Sequence, residues 1–192
     1  SPLLTALLGV MLLPLFIGTW RASLWGLGWQ GIIMALIAYR LEPAPHAAGE
    51  WLTLVDLLLV RGLLAPLLLF AVLRARNAPA RNDVIPPNML SWTLALSIVL
   101  LSFTFAEHLV GEAGDQRTLV AVASTGLLLG FLVLSTQSGL FSQIVGALRI
   151  ENAIALFELG GKRHEMPLGV QLALLGIFLA TLAFFRWYLS TL

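Results

Sequence analysis

An all-α integral membrane bundle of about seven transmembrane helices is predicted by three observations: high apolar content, scarce charge, and long unbroken apolar runs. Hydrophobic residues make up 59% of the 192-residue chain and charged residues 11%. A soluble domain carries roughly 25% charged residues, so there is too little polar surface here to cover a water-facing globule. Mean hydropathy of +0.93 points the same way. Backbone groups in hydrocarbon must be satisfied internally, which leaves helices or closed barrels as spanning structures. Barrels read as short alternating segments, and this sequence does not.

A bilayer core takes about 20 mostly apolar residues per helix, and that length places helices over 2–19, 23–40, 51–74, 88–110, 118–136, 139–160 and 167–190. The first begins at Ser1-Pro2 with no charged leader or small-residue cleavage site, so a retained helix is expected. It stops at Trp20-Arg21, and the second stops at Glu42-Pro43-Ala44-Pro45. The third stops before Asn77-Ala78-Pro79, and the fourth follows Pro86-Pro87 and runs to Gly111. Polar and turn residues over 111–117, 136–139 and 160–167 delimit the last three. Trp20, Trp51, Trp92 and Trp187 lie near these ends, at headgroup level. The whole chain reads as one transmembrane domain.

Sliding residues 3–40 by 121 positions sets Gly9 on Gly130, Gly18 on Gly139, Leu27 on Leu148 and Gln30 on Glu151. A duplication would make 3–75 and 118–190 two parallel three-helix units, with 88–110 as a spacer helix. Arg21, Arg74, Arg76, Arg81 and Arg186 share one side, and Arg40, Arg117, Lys162 and Arg163 the other. The positive-inside rule then sets the N-terminus outside.

Cysteine is absent, which excludes thiolate metal sites, haem attachment and iron–sulfur ligation within this chain. A net charge of +1 gives no electrostatic case for nucleic acid. His46, His108 and His164 form no ligand set, and no catalytic triad or phosphate-binding loop appears. The chain carries no catalytic site of its own.

Six ionisable residues fall inside the spans: Asp56, Arg61, Glu107, Arg149, Glu151 and Glu158. Each costs at least roughly 2.5–3.5 kcal/mol at the bilayer centre, so such groups face protein or water and mark pathways. Glu151 and Glu158 share a helix face, about 10.5 Å apart along the axis. Gln143 and Ala147 continue that face as a thin polar stripe. Two desolvated carboxylates bridged by water meet the needs of a proton relay. Arg149 lies about 200° around the helix from Glu151, so its counter-ion is expected on another helix or subunit. Asp56 and Arg61, five apart on a regular helix, are expected to point apart and not to pair. Pro66 frees the carbonyl of Gly62, which either bends the helix beside a cavity or is a tolerated kink. Gly126 with Gly130, and Ser142 with Gly146, favour close helix packing. Such charges can equally serve to lock helices in register.

The run Ser142-Gln143-Ile144-Val145-Gly146-Ala147-Leu148-Arg149-Ile150-Glu151-Asn152-Ala153-Ile154-Ala155-Leu156-Phe157 is similar to the hydrogenase-4 component E family. Its Gly-x-x-x-x-Glu-Asn core resembles the glutamate-bearing helix of the complex I K subunit and of the C subunit of Mrp-type antiporters. Arg61-Gly62-Leu63-Leu64-Ala65-Pro66-Leu67 is similar to the component E segment with a basic residue before a proline, where members carry lysine. Arginine stays charged where lysine could lose its proton, which counts against proton transfer through position 61. Ala173 stands where some members carry a polar or acidic group.

The resemblance implies a membrane-arm subunit between large antiporter-like subunits and those docking a peripheral redox arm. Glu151 and Arg61 would belong to a central charged chain, with Gln30 at the position equivalent to Glu151 in the other unit. Any nickel–iron centre and iron–sulfur clusters would lie in partner subunits, with no cofactor in this chain. The expected location is a bacterial inner membrane. The expected function is proton or sodium translocation coupled to redox chemistry elsewhere. The alternatives are a Mrp-like cation/proton antiporter subunit without a redox arm and a purely structural membrane anchor.

Overall fold

The computed structural model describes residues 1–12, 15–17, 19–41, 45–75, 89–110, 114–161 and 166–191. Among them are seven helices: α1 (Pro2–Leu12), α2 (Trp20–Leu41), α3 (Ala48–Ala75), α4 (Met89–Val110), α5 (Asp115–Thr136), α6 (Leu140–Gly160) and α7 (Leu168–Thr191). Six of these, α2 to α7, are long and apolar enough to cross a membrane, and the chain is an integral membrane protein. α1 is the exception. Where 2–19 was expected, its described helix ends at Leu12, short of a span. Leu15, Phe16 and Ile17, the next described residues, are not α-helical. Arg76, Arg81, Lys162 and Arg163, which entered the orientation argument, lie outside the described residues.

Helix direction alternates along the chain, and of the consecutive helices α1 packs on α2, α2 on α3, α4 on α5 and α5 on α6. Gly126 approaches Ala153, Gly130 approaches Ile150, and Gly160 approaches Leu119, which fixes α5 against α6 along their length. α2 and α3 meet at glycine. A Cβ on Gly28 would lie 3.0 Å from the Gly62 carbonyl oxygen, and one on Gly31 would overlap the Gly62 backbone. Three helices also pack parallel to the helix four places further on. Met11 of α1 touches Gly126 of α5, Gln30 of α2 bonds Asn152 of α6, and Gly49 of α3 sits against Gln171 of α7.

Two apolar clusters fill the bundle. One gathers Leu7, Met34, Leu57, Leu119 and Leu156; the other gathers Leu27, Val60, Leu69, Leu148 and Phe178. Gln30 falls between Leu27 and Ile33, and Asn152 between Leu148 and Ala155, so buried polar groups occupy the seam between the clusters. α4 and α7 are peripheral, turning Leu96, Leu100, Leu101, Ile177 and Trp187 outward.

The α2–α3 crossing predicts a clear asymmetry between two glycines. Gly31→Ala forces a methyl into backbone and is expected to destabilise by about 1–3 kcal/mol. Gly176 has nothing within 4 Å of a would-be Cβ, so Gly176→Ala is expected to leave stability equal or slightly higher. Thermal unfolding of the two variants in detergent reads the difference.

A buried polar chain at the centre of the bundle

The middle of α3, Asp56–Leu64, winds as a π-helix, and this winding decides the geometry of the site. Its hydrogen bonds run from residue i+5 back to i, as the Ala65 N–H does to the Val60 carbonyl. On a regular α-helix, residues five apart diverge by about 140°. In the wider π-turn they stack. Asp56 and Arg61 therefore do pair, contrary to the expectation that they point apart. Arg61 Nε donates to Asp56 Oδ1 and Oδ2, both at 3.3 Å. The π-winding ends two residues before Pro66, and the helix continues through that proline to Ala75 without a break.

From this ion pair a chain of side chains crosses the bundle. Arg61 Nη1 donates to Asn152 Oδ1 at 3.3 Å, and Asn152 Nδ2 donates to Gln30 Oε1 at 3.4 Å. The guanidinium carbon lies 4.0 Å over the ring of Phe178, close enough for a cation–π attraction that strengthens when desolvated. Relative exposure is 0% for Asp56, 4% for Arg61 and 1% for both Gln30 and Asn152, so the chain is sealed from lipid. α2, α3, α6 and α7 each supply a member.

The remaining sequence candidates sit elsewhere. Arg149 is buried three residues before Asn152, on the same side of α6. Glu151 is half-buried, with no hydrogen bond or ion pair to the described residues. It lies on the least buried stripe of α6, with Gln143, Ala147, Glu158 and the exposed Ile154. Arg61 thus reaches across to Asn152, the neighbour of Glu151. Glu107 is exposed near the end of α4 and forms a 3.8 Å ion pair with Arg117 of α5, a tie across the connection of two helices. No group of three metal-ligating side chains occurs among the described residues.

Asn152 and Phe178 were missed as site residues. An asparagine at mid-span is itself a signal, since neutral polar groups there bond across helices. Phe178 carries no such signal in an apolar helix.

A cavity of about 620 Å³ opens at the membrane face where α1, α3 and α5 begin and α2 and α6 end. Arg40, Glu50, Thr53, Leu54, Asp115 and Gly160 are among its lining residues. Glu50 Oε2 accepts the His46 N–H at 2.7 Å, anchoring the start of α3 beside it. Thr53, on the cavity wall, precedes Asp56 by three residues, one helical turn. The cavity therefore leads from the membrane face toward the acidic end of the chain.

Comparison with protein-family models, curated proteins and solved structures gives no match.

Breaking the buried pair from one side leaves an uncompensated charge. Arg61→Ala is expected to cost about 3–5 kcal/mol, while the apolar double variant Asp56→Leu/Arg61→Met recovers most of the loss. Chemical unfolding in detergent compares the two. The absence of cysteine allows single-thiol labelling. Leu54→Cys, on the cavity wall, is expected to react with a membrane-impermeant thiol reagent from one face of the bilayer only. Leu58→Cys, on the exposed apolar face one turn deeper, is expected to stay unlabelled.

Proposed function

We propose that this chain is a membrane-arm subunit of a group 4 hydrogenase or complex I-like assembly. In that role it contributes charged and polar side chains to a proton, or sodium, pathway coupled to redox chemistry in partner subunits. The observation that carries the reading is the Asp56–Arg61–Asn152–Gln30 chain at mid-membrane, with Glu151 beside it and unpaired among the described residues. Ionisable groups at this depth are expensive, and their common use is in ion pathways. The cavity ending one turn from Asp56 provides an approach for water from one face.

Arg61 acts here as a fixed positive charge, because a guanidinium does not release its proton in a protein. It pairs with Asp56 and orients Asn152, while Glu151 is the carboxylate assigned to meet the moving ion. Glu151, Gln143 and Glu158 lie on a partly exposed stripe, so a neighbouring membrane subunit completes their surroundings. Large antiporter-like subunits fill that place in this reading. A peripheral arm in other subunits holds the nickel–iron and iron–sulfur centres. The parallel packing of α1 with α5, α2 with α6 and α3 with α7, with α4 outside, supports two three-helix units joined by a spacer. The assembly sits in a bacterial inner membrane with the N-terminus outside, so the cavity opens outward.

One observation favours the purely structural reading: Asp56 and Arg61 neutralise each other within one helix, which is also what a register-locking anchor needs. Mass spectrometry of the complex purified gently through this chain separates the possibilities. Antiporter-like subunits together with a nickel–iron or iron–sulfur arm support the proposal, and antiporter subunits alone favour a Mrp-like complex. Recovery of neither overturns both. In the intact complex, Glu151→Gln is expected to lower coupled ion transport at least tenfold while the redox reaction persists. Unchanged transport would leave the anchor.

A further inference from the structure

The α2–α3 crossing has an outward side that the polar chain does not use. Because Gly28 and Gly62 bring the two backbones together without side chains between them, a groove of about 420 Å³ remains on the lipid-facing surface. Trp25, Trp29, Pro66, Leu67 and Phe70 form its walls, and Arg21 is the charged residue among its described lining. Trp25 is 68% exposed and Trp29 48%. Both indoles lie well inside α2, unlike the tryptophans at helix ends, and Arg21, Trp25 and Trp29 follow one another at four-residue spacing along one helix face.

Charge at the mouth of the groove is one-sided. The alternation of helices puts Arg21, Arg74 and Arg186 at the same membrane face. The end-of-helix carboxylates among the described residues, Glu50, Glu107, Asp115 and Glu158, all lie toward the opposite face. Arg21 forms no ion pair with the described residues. A guanidinium offers a donor fork matched to phosphate, and at headgroup level the available phosphate belongs to lipid.

We propose that the groove is a binding site for one anionic phospholipid, with its phosphate on Arg21 and an acyl chain lying between the Trp25/Trp29 wall and the Pro66/Phe70 wall. The bound lipid fills the outer side of the crossing whose inner side carries Arg61. Recognition combines an apolar slot, which any acyl chain fits, with one basic residue, which selects the headgroup charge.

Native mass spectrometry of the full chain released from detergent micelles, titrated with phosphatidylglycerol or phosphatidylcholine, tests this directly. The expected result is a single retained phosphatidylglycerol, held more tightly than phosphatidylcholine. Arg21→Gln is expected to weaken phosphatidylglycerol about fivefold, the worth of one basic residue at an anionic surface, with phosphatidylcholine unchanged. Arg74→Gln, at the same face but off the groove, is expected to change neither. Leu67→Trp, which fills the slot from its exposed rim, is expected to weaken both lipids. Equal retention of the two lipids by the unmodified chain, equal losses from Arg21→Gln and Arg74→Gln, or indifference to Leu67→Trp would each overturn the proposal.

Discussion

A guanidinium cannot shed its charge at membrane depth, and the arrangement around Arg61 follows from that. Arg61 needs a counter-ion, hydrogen-bond acceptors and exclusion from lipid, all at once. Asp56 supplies the first through the π-winding, Asn152 supplies an acceptor from α6, and the Phe178 ring covers the cation from α7. Glycines at 28, 31 and 62 let α2 approach closely enough for Gln30 to close the chain. Four helices are thereby fixed around one charge. Remove the pair, and apolar packing alone would have to define their register.

The same arrangement separates two kinds of charged group. Asp56, Arg61 and Arg149 are buried within the chain, whereas Glu151 and Glu158 lie on a half-covered stripe of α6. The paired charges lie inside the bundle, and the carboxylates of the stripe lie at its surface. α6 carries both kinds on different sides: Asn152 faces the fixed pair, and Glu151, one residue back, faces outward. A single helix thus connects the interior of this chain to whatever covers the stripe.

The long helices were legible because unbroken apolar runs and proline- or glycine-rich breaks leave few alternatives in lipid. α1 was read too long because its apolar pattern runs on through Leu15, Phe16 and Ile17, which are not α-helical. The Asp56–Arg61 pair was hidden by the assumption of 100° per residue along α3. Apolar pattern alone does not reveal π-winding, although Gly62 within it and Pro66 just beyond it mark a place where regular hydrogen bonding is disturbed. Asn152 stood in plain view but was overshadowed by its charged neighbour. The cavity and the groove depend on which helices become neighbours, and periodicity within one helix does not carry that information.

The π-segment also bears on how the chain enters the membrane. Asp56 and Arg61 are five residues apart in one helix, so their charges can neutralise as soon as α3 forms. Asn152 lies 91 residues beyond Arg61, a delay on the order of 5 to 20 seconds at ordinary rates of synthesis. During that interval α3 is already a partitioning segment, without α6 or α7 to shelter its arginine. A counter-ion supplied in cis lets the insertion machinery release an electrically neutral helix into the bilayer. The later helices then add hydrogen bonds to a pair that already exists. Biogenesis therefore sets its own requirement for placing the acid on the same helix as the base, independent of what the finished bundle does with them.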